Sequence, residues 1–116
     1  MYDTNNIFAK ILRKEIICET VYEDDNILFI NDINPQAKIH LLAIPKMNVI
    51  DFTDFILKSD KKEVEYFFSK IHDVVKMLGL EQSGYRLIAN NGKDANQEVP
   101  HFHVHILGGE NLKGNI

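Results

Sequence analysis

The chain has 116 residues, 45% of them hydrophobic, enough for one buried core and too few for a second domain. A formal net charge of −4 supplies no basic field for a phosphate polymer, and Cys18 alone rules out an intrachain disulfide or a cysteine metal cluster. The start Met1-Tyr2-Asp3-Thr4-Asn5-Asn6 lacks a signal-peptide pattern, and the longest apolar-rich stretch, residues 39–45, falls far short of the roughly 20 residues of a membrane helix. The expectation is a cytoplasmic, single domain over residues 1–116, with neither nucleic acid nor membrane as partner.

Ile7, Phe8, Ile11 and Leu12 follow a helical period after Thr4-Asn5-Asn6, predicting a short first helix that ends near Glu15. The β-prone runs Ile27 to Ile30 and Ile39 to Ile44 are bounded by Asp24-Asp25-Asn26, Asn34-Pro35 and Pro45, and read as antiparallel strands. Beyond Ser59-Asp60, the residues Val64, Phe67, Phe68, Ile71, Val74, Val75 and Leu78 form one apolar stripe, the strongest helix signal in the chain. Gly79 is its natural stop. Strands are predicted at Tyr85 to Ala89 and His101 to Leu107, separated by a polar loop over residues 90–98. That order argues for α+β, with an antiparallel sheet and helices packed on one face.

On a strand, His101, His103 and His105 share one face while Phe102, Val104 and Ile106 take the other. Isolated His72 reads as an ordinary solvated helix residue, but three repeated imidazoles call for chemistry. A metal site is the competing reading. The backbones of His101 and His105 are then roughly 13 Å apart, which strains a three-histidine site, and a two-histidine site needs an outside ligand such as His40. Nucleophilic catalysis uses the spacing better: a neutral imidazole attacks phosphorus while its neighbours fix its tautomer and stabilise charge on the phosphoryl oxygens. His103, in the middle, is best placed. A phosphate pocket is expected to favour the charged form of its imidazoles. Gly92 and Gly108-Gly109 permit tight turns or close approach to an anion.

The segment His101-Phe102-His103-Val104-His105-Ile106-Leu107-Gly108-Gly109 resembles the motif of the histidine triad superfamily, and its Leu-Gly-Gly ending resembles the Hint-like branch. The likeness continues in Asn6 to Ile11, Tyr22 to Asp25, Asn31 to Ala37 and Ile44-Pro45-Lys46. The resemblance implies an α+β domain with about five antiparallel strands, one long and one or two short helices, and a sheet extended across a homodimer. It further implies binding of purine nucleoside monophosphates and cleavage of the phosphorus–nitrogen bond of nucleoside phosphoramidates through a nucleotidyl-histidine intermediate.

By motif position, His103 resembles the nucleophile, His105 the phosphate-contacting partner, His40 the histidine behind it, and the His101 backbone the group orienting His103. Asp32 matches the ribose-binding acid, Asn90 a phosphate-side contact, and Ile7, Phe8 and Ile30 the base pocket, for which ordinary core is an equal reading. Gln97 and Glu98 complete the implied nucleotide-binding set. Some relatives hold structural zinc through two cysteines and a histidine; Asn6, Ala9 and Asn48 stand in those places, so neither metal nor other cofactor is expected. Asn96 stands where the family usually has glycine, and Glu98 where some relatives have serine or threonine. The alternatives are a nucleotide-binding regulator with little turnover and a dinucleoside polyphosphate hydrolase of the sister branch.

Overall fold

A computed structural model describes residues 1–114. In chain order the elements are α1 (Ile7–Leu12), β1 (Thr20–Glu23), β2 (Ile27–Asn31), β3 (Ile39–Pro45), α2 (Phe52–Lys58), α3 (Lys61–Met77), α4 (Leu80–Ser83), β4 (Tyr85–Ile88), a 3-10 turn (Lys93–Ala95) and β5 (Val104–Gly108). The strands form one antiparallel sheet in the order β1-β2-β3-β5-β4.

Local chemistry sets the helix ends. The Asn6 side chain accepts from the Ala9 N–H and caps α1. The helix closes earlier than the periodicity predicts: Lys14 turns left-handed (φ 66°), its N–H donates to Ile11 O, and the Glu15 N–H reaches back to Lys10 O. Those paired bonds are a Schellman closure with lysine in the place glycine usually takes. Asp60 and Glu63 form a capping box at the start of α3, and Gly79, at φ 71°, follows its end.

The sheet is covered on both faces, which corrects the expectation of helices on one face only. Phe29, Leu41, Ala43, Val104 and Ile106 pack with Phe55, Phe67, Ile71, Val74, Val75 and Leu80 from α2, α3 and α4. On the other face Leu28, Ile30, Leu42 and Ile44 pack with Phe8 and Ile11 of α1. Burial of each of the larger of these side chains contributes about 1.5–3 kcal/mol. β3, buried along nearly its whole length, is the central strand.

The last strand begins at Val104 and not at His101. The β3·β5 ladder runs from Ile39↔Gly108 to Ala43↔Val104, and continued two residues further it would set Pro45 against Phe102. Proline has no N–H to give. The Phe102 N–H donates instead to Val49 O, while Pro45 O accepts from the His101 ring. Phe102 still enters the α3-side core, stacked on Phe55, so the alternation outlasts the ladder. At the far end of β5 a Cβ on Gly108 would meet Leu80 at 2.9 Å, and Gly109 turns at φ 82° against Ile39. That glycine pair serves helix packing and a turn.

Candidate active site

The register brings the histidines together. His40 and Leu42 of β3 share the α1 face of the sheet, Leu42 is directly opposite His105 of β5, and His40 is therefore its diagonal neighbour. His103 continues that face just before β5, with its ring 5.1 Å from that of His105. These three histidines line a cavity of about 620 Å³ with Ile7, Phe8, Ile30, Asp32, Asn90, Gln97 and Glu98. A second hollow of about 490 Å³, beside α3, contains none of these residues.

His101 departs from the expected surface lined by three imidazoles. It is fully buried and does not line the cavity. Its Nε2–H donates to Pro45 O at 2.8 Å and its Nδ1 accepts from the Tyr2 hydroxyl at 2.6 Å, so both nitrogens are engaged. Its backbone carbonyl accepts from His103 Nδ1 at 2.7 Å. A carbonyl only accepts, so Nδ1 of His103 carries a proton and, in the neutral ring that burial favours, Nε2 keeps its lone pair. The edge of Phe8 packs on the same ring at 4.9 Å between centroids.

The same logic fixes the other two tautomers. The Gln36 backbone N–H donates to His40 Nδ1 at 3.0 Å, leaving the His40 proton on Nε2. His40 Nε2–H then donates to His105 Nδ1 at 2.9 Å, which leaves the His105 proton on Nε2 as a free donor. One backbone amide thus sets two imidazoles. Asp32 is beside this chain: Oδ1 accepts from the Asn34 N–H at 2.8 Å, and Oδ2 is 3.4 Å from His40 Nε2 and 4.0 Å from His105 Nδ1. Asp32, His40 and His105 bring ligand atoms within 4.8 Å of one another, but the two imidazoles already share a proton.

Burial decides the charge of the site. It pushes His105 down to about 4, helped by His103 and His40 and opposed by Asp32. It also holds His103 below the ordinary imidazole value, against the His101 carbonyl, Asp32 and Glu98, and holds His40 down against Asp32. His101 is pushed to about 4 by burial. The expectation that the pocket favours charged imidazoles is thereby corrected for the free site: desolvation outweighs the nearby carboxylates.

The loop before β5 is anchored by Gln97. Its Oε1 accepts from the Gly92 N–H at 2.8 Å, and its Nε2 donates to Ile50 O at 2.7 Å and Val99 O at 3.0 Å. That amide is spent on holding the loop. Asn96 takes the left-handed conformation (φ 56°) that a glycine would adopt there, and asparagine tolerates it. Phe8 and Ile30 are at once core and cavity wall, while Ile7 is 42% exposed at the rim.

Comparison with known proteins supplies the family. The HIT domain model matches residues 13–112. An uncharacterized HIT-like protein of Rickettsia prowazekii is 48% identical over 116 residues, covering 100% of this chain and 97% of its own length. The chain belongs to the HIT family. A crystal structure of a HIT family hydrolase from Legionella pneumophila superposes with a TM-score of 0.87 at 38% identity, covering 94% of this chain and 96% of that one. A histidine triad protein from Clostridium difficile gives 0.86 at 39%, covering 100% of both chains. The HIT fold here is that of proteins described as HIT family hydrolases, and its five-stranded antiparallel sheet matches theirs.

Two HIT site features escaped the sequence reading. Tyr2 closes over His101 from the N-terminus, where nothing in the sequence marks it. Gln36 acts through its backbone, which no side-chain signal reports; only its place after Asn34-Pro35 hints at a turn. The zinc set found in some relatives does not fit this HIT chain. Asn6 is the α1 cap, and Ala9, whose side chain has no ligand atom, is packed in the buried face of α1.

Proposed function

We propose that this protein is a Hint-like nucleoside phosphoramidase, cleaving the phosphorus–nitrogen bond of a purine nucleoside 5'-phosphoramidate through a nucleotidyl-histidine intermediate. The observation that carries the reading is the tautomer chain: His103 presents an unprotonated Nε2 while His105, set by His40 and Gln36, presents an Nε2–H donor. A nucleotide-binding site needs donors. It does not need a buried, neutral imidazole with its lone pair held free.

In this reading the base lies against Ile7, Phe8 and Ile30, the ribose is held by Asp32, and the phosphoryl group lies between His103, His105 and Asn90. The lone pair on His103 Nε2 forms a bond to phosphorus, and the phosphorus–nitrogen bond breaks with its electron pair on the departing nitrogen. That nitrogen takes a proton from water at the open rim and leaves as the amine. His105 Nε2–H donates to a phosphoryl oxygen as charge builds on it. Water then attacks phosphorus and loses a proton to solvent, while the phosphorus–Nε2 bond breaks with its electron pair returning to His103, releasing the nucleoside monophosphate and the neutral imidazole.

Assembly follows from the sheet edges. β1 carries an irregularity between Thr20 and Tyr22, which blunts that edge, whereas β4 is regular and exposes Tyr85 and Leu87. We place the homodimer contact at β4, so that the sheet continues across the dyad. The reading implies no metal and no other cofactor, and a cytoplasmic enzyme. No helix among the described residues is long and apolar enough to cross a membrane.

The test is turnover of adenosine 5'-phosphoramidate by purified protein, with His103→Ala alongside. The reading expects release of AMP and of the amine by the wild type, and loss of turnover with nucleotide binding retained in the variant. Equal rates in the two proteins overturn it.

A further inference from the structure

The charge around the cavity is unusual for a phosphate site. Its lining contains two carboxylates, Asp32 and Glu98, and no lysine or arginine. The histidines do not make up the difference, since they are held as neutral tautomers and supply one free donor, His105 Nε2–H, but no positive charge. Asp32 is engaged with Asn34 and flanks His40. Glu98 is exposed, and among the described residues it takes part in no ion pair.

Glu98 is also held in place. Gln97 immediately before it is tied to Gly92, Ile50 and Val99, and the carbonyl of Val99 immediately after it accepts from the His101 N–H at 2.8 Å. Val99 itself packs on the α1-side core. Glu98 is therefore carried in the cavity lining on a braced backbone, and its charge acts on the His103 imidazole in the same lining.

We infer that Glu98 is a specificity-determining residue that selects the leaving group by charge, favouring amines that carry a positive charge and disfavouring leaving groups that carry further phosphates or carboxylates. This rests on the phosphoramidase reading for the identity of the leaving group, but the charge bias holds for any ligand placed in the cavity. A bound nucleoside phosphoryl group already brings one negative charge next to two carboxylates. Each further negative charge on the departing side meets Glu98 with no cation in the lining to offset it. A cationic side arm meets an unpaired carboxylate.

The size of the effect follows from Coulomb's law. Between a cationic and an anionic side arm the charge differs by two, and at roughly 6 Å in a water-like dielectric that corresponds to about a tenfold ratio in favour of the cation. The bias is screened by salt because the carboxylate is exposed.

The experiment compares wild type with Glu98→Gln on three adenosine 5'-phosphoramidates whose amines end in an ammonium, a neutral or a carboxylate group. The readout is the ratio of kcat/KM between ammonium and carboxylate substrates, above pH 7 and at low and high salt. A wild-type ratio near tenfold, falling with salt and collapsing toward one in Glu98→Gln, supports the inference. A ratio that Glu98→Gln leaves within twofold of the wild type overturns it. A parallel arm measures Kd for AMP and ADP by calorimetry. The inference expects ADP to be penalised against AMP in the wild type and the penalty to shrink in Glu98→Gln; an unchanged penalty overturns it. If no phosphoramidate is cleaved, the enzyme reading fails while the AMP and ADP arm still decides the role of Glu98.

Discussion

Removing His105 separates its two imaginable roles, donor and charge. In His105→Ala the Nε2–H donor set by the His40 relay is lost, while His103 and its bond to the His101 carbonyl remain. One preorganised donor to a developing phosphoryl charge is worth about 10²–10³ in kcat, or about 3–4 kcal/mol. The charge role is small. With His105 pushed to about 4, roughly 1% of it is protonated at pH 6 and roughly 10% at pH 5, so removing it relieves His103 of almost no positive charge. The nucleophile works unprotonated and burial lowers its pKa, so activity persists down through pH 6.5 and falls as the pH drops below that. The assay is kcat/KM for adenosine phosphoramidate from pH 5 to 9 in both proteins. A plateau lowered about 10²–10³-fold, with the acid limb in place, is expected. A loss under tenfold, or a limb displaced by about half a unit or more, refutes the assignment of His105 as a neutral donor.

Three further outcomes follow from the same geometry. The unfolded chain protonates His101 below about 6.5 whereas the folded one resists to about 4, so stability present at pH 7 is lost as pH falls through that window. His101 alone accounts for about 2 kcal/mol between pH 7 and pH 5, and urea midpoints that do not differ between those pH values contradict it. The wild type should sediment at twice 13.4 kDa and Leu87→Glu near 13.4 kDa; a wild-type monomer at micromolar concentration removes the β4 dimer. The protein should purify without stoichiometric zinc, and one tightly held zinc per chain by elemental analysis contradicts the reading of Asn6, Ala9 and Asn48.

Much of the architecture was legible because local and tertiary preferences agree. The stripe from Val64 to Leu78 is helical on its own period and is also the face that covers the sheet, so α3 and its stop at Gly79 emerge directly. The runs at 27–30 and 39–44 are β-prone and buried, and β2 and β3 match them within a residue. β1 was not placed from sequence, because Thr20–Glu23 is a short edge strand with an irregular register and no apolar run. α2 was not placed either; Phe52–Lys58 offers little periodicity beyond buried Phe55.

In the site, the motif located His103 and His105 but not the geometry around them. Alternation correctly sends Phe102, Val104 and Ile106 to one core, yet it cannot report that Pro45 ends the ladder and turns His101 into a buried support. The side of the sheet taken by α1 depends on a long-range choice that a six-residue helix does not encode alone. The depressed titration of the imidazoles comes from burial, which only the packed structure supplies.

The central claim is that Nε2 of His103 becomes bonded to phosphorus during turnover. The direct measurement is a rapid acid-free quench of wild-type protein with an adenosine phosphoramidate, followed by mass spectrometry of the peptide that carries His103. The account predicts one nucleoside monophosphoryl group on His103, formed and lost at rates compatible with kcat and absent in His103→Ala. Turnover at the wild-type rate in His103→Ala, or a kinetically competent adduct on any other residue, would contradict it.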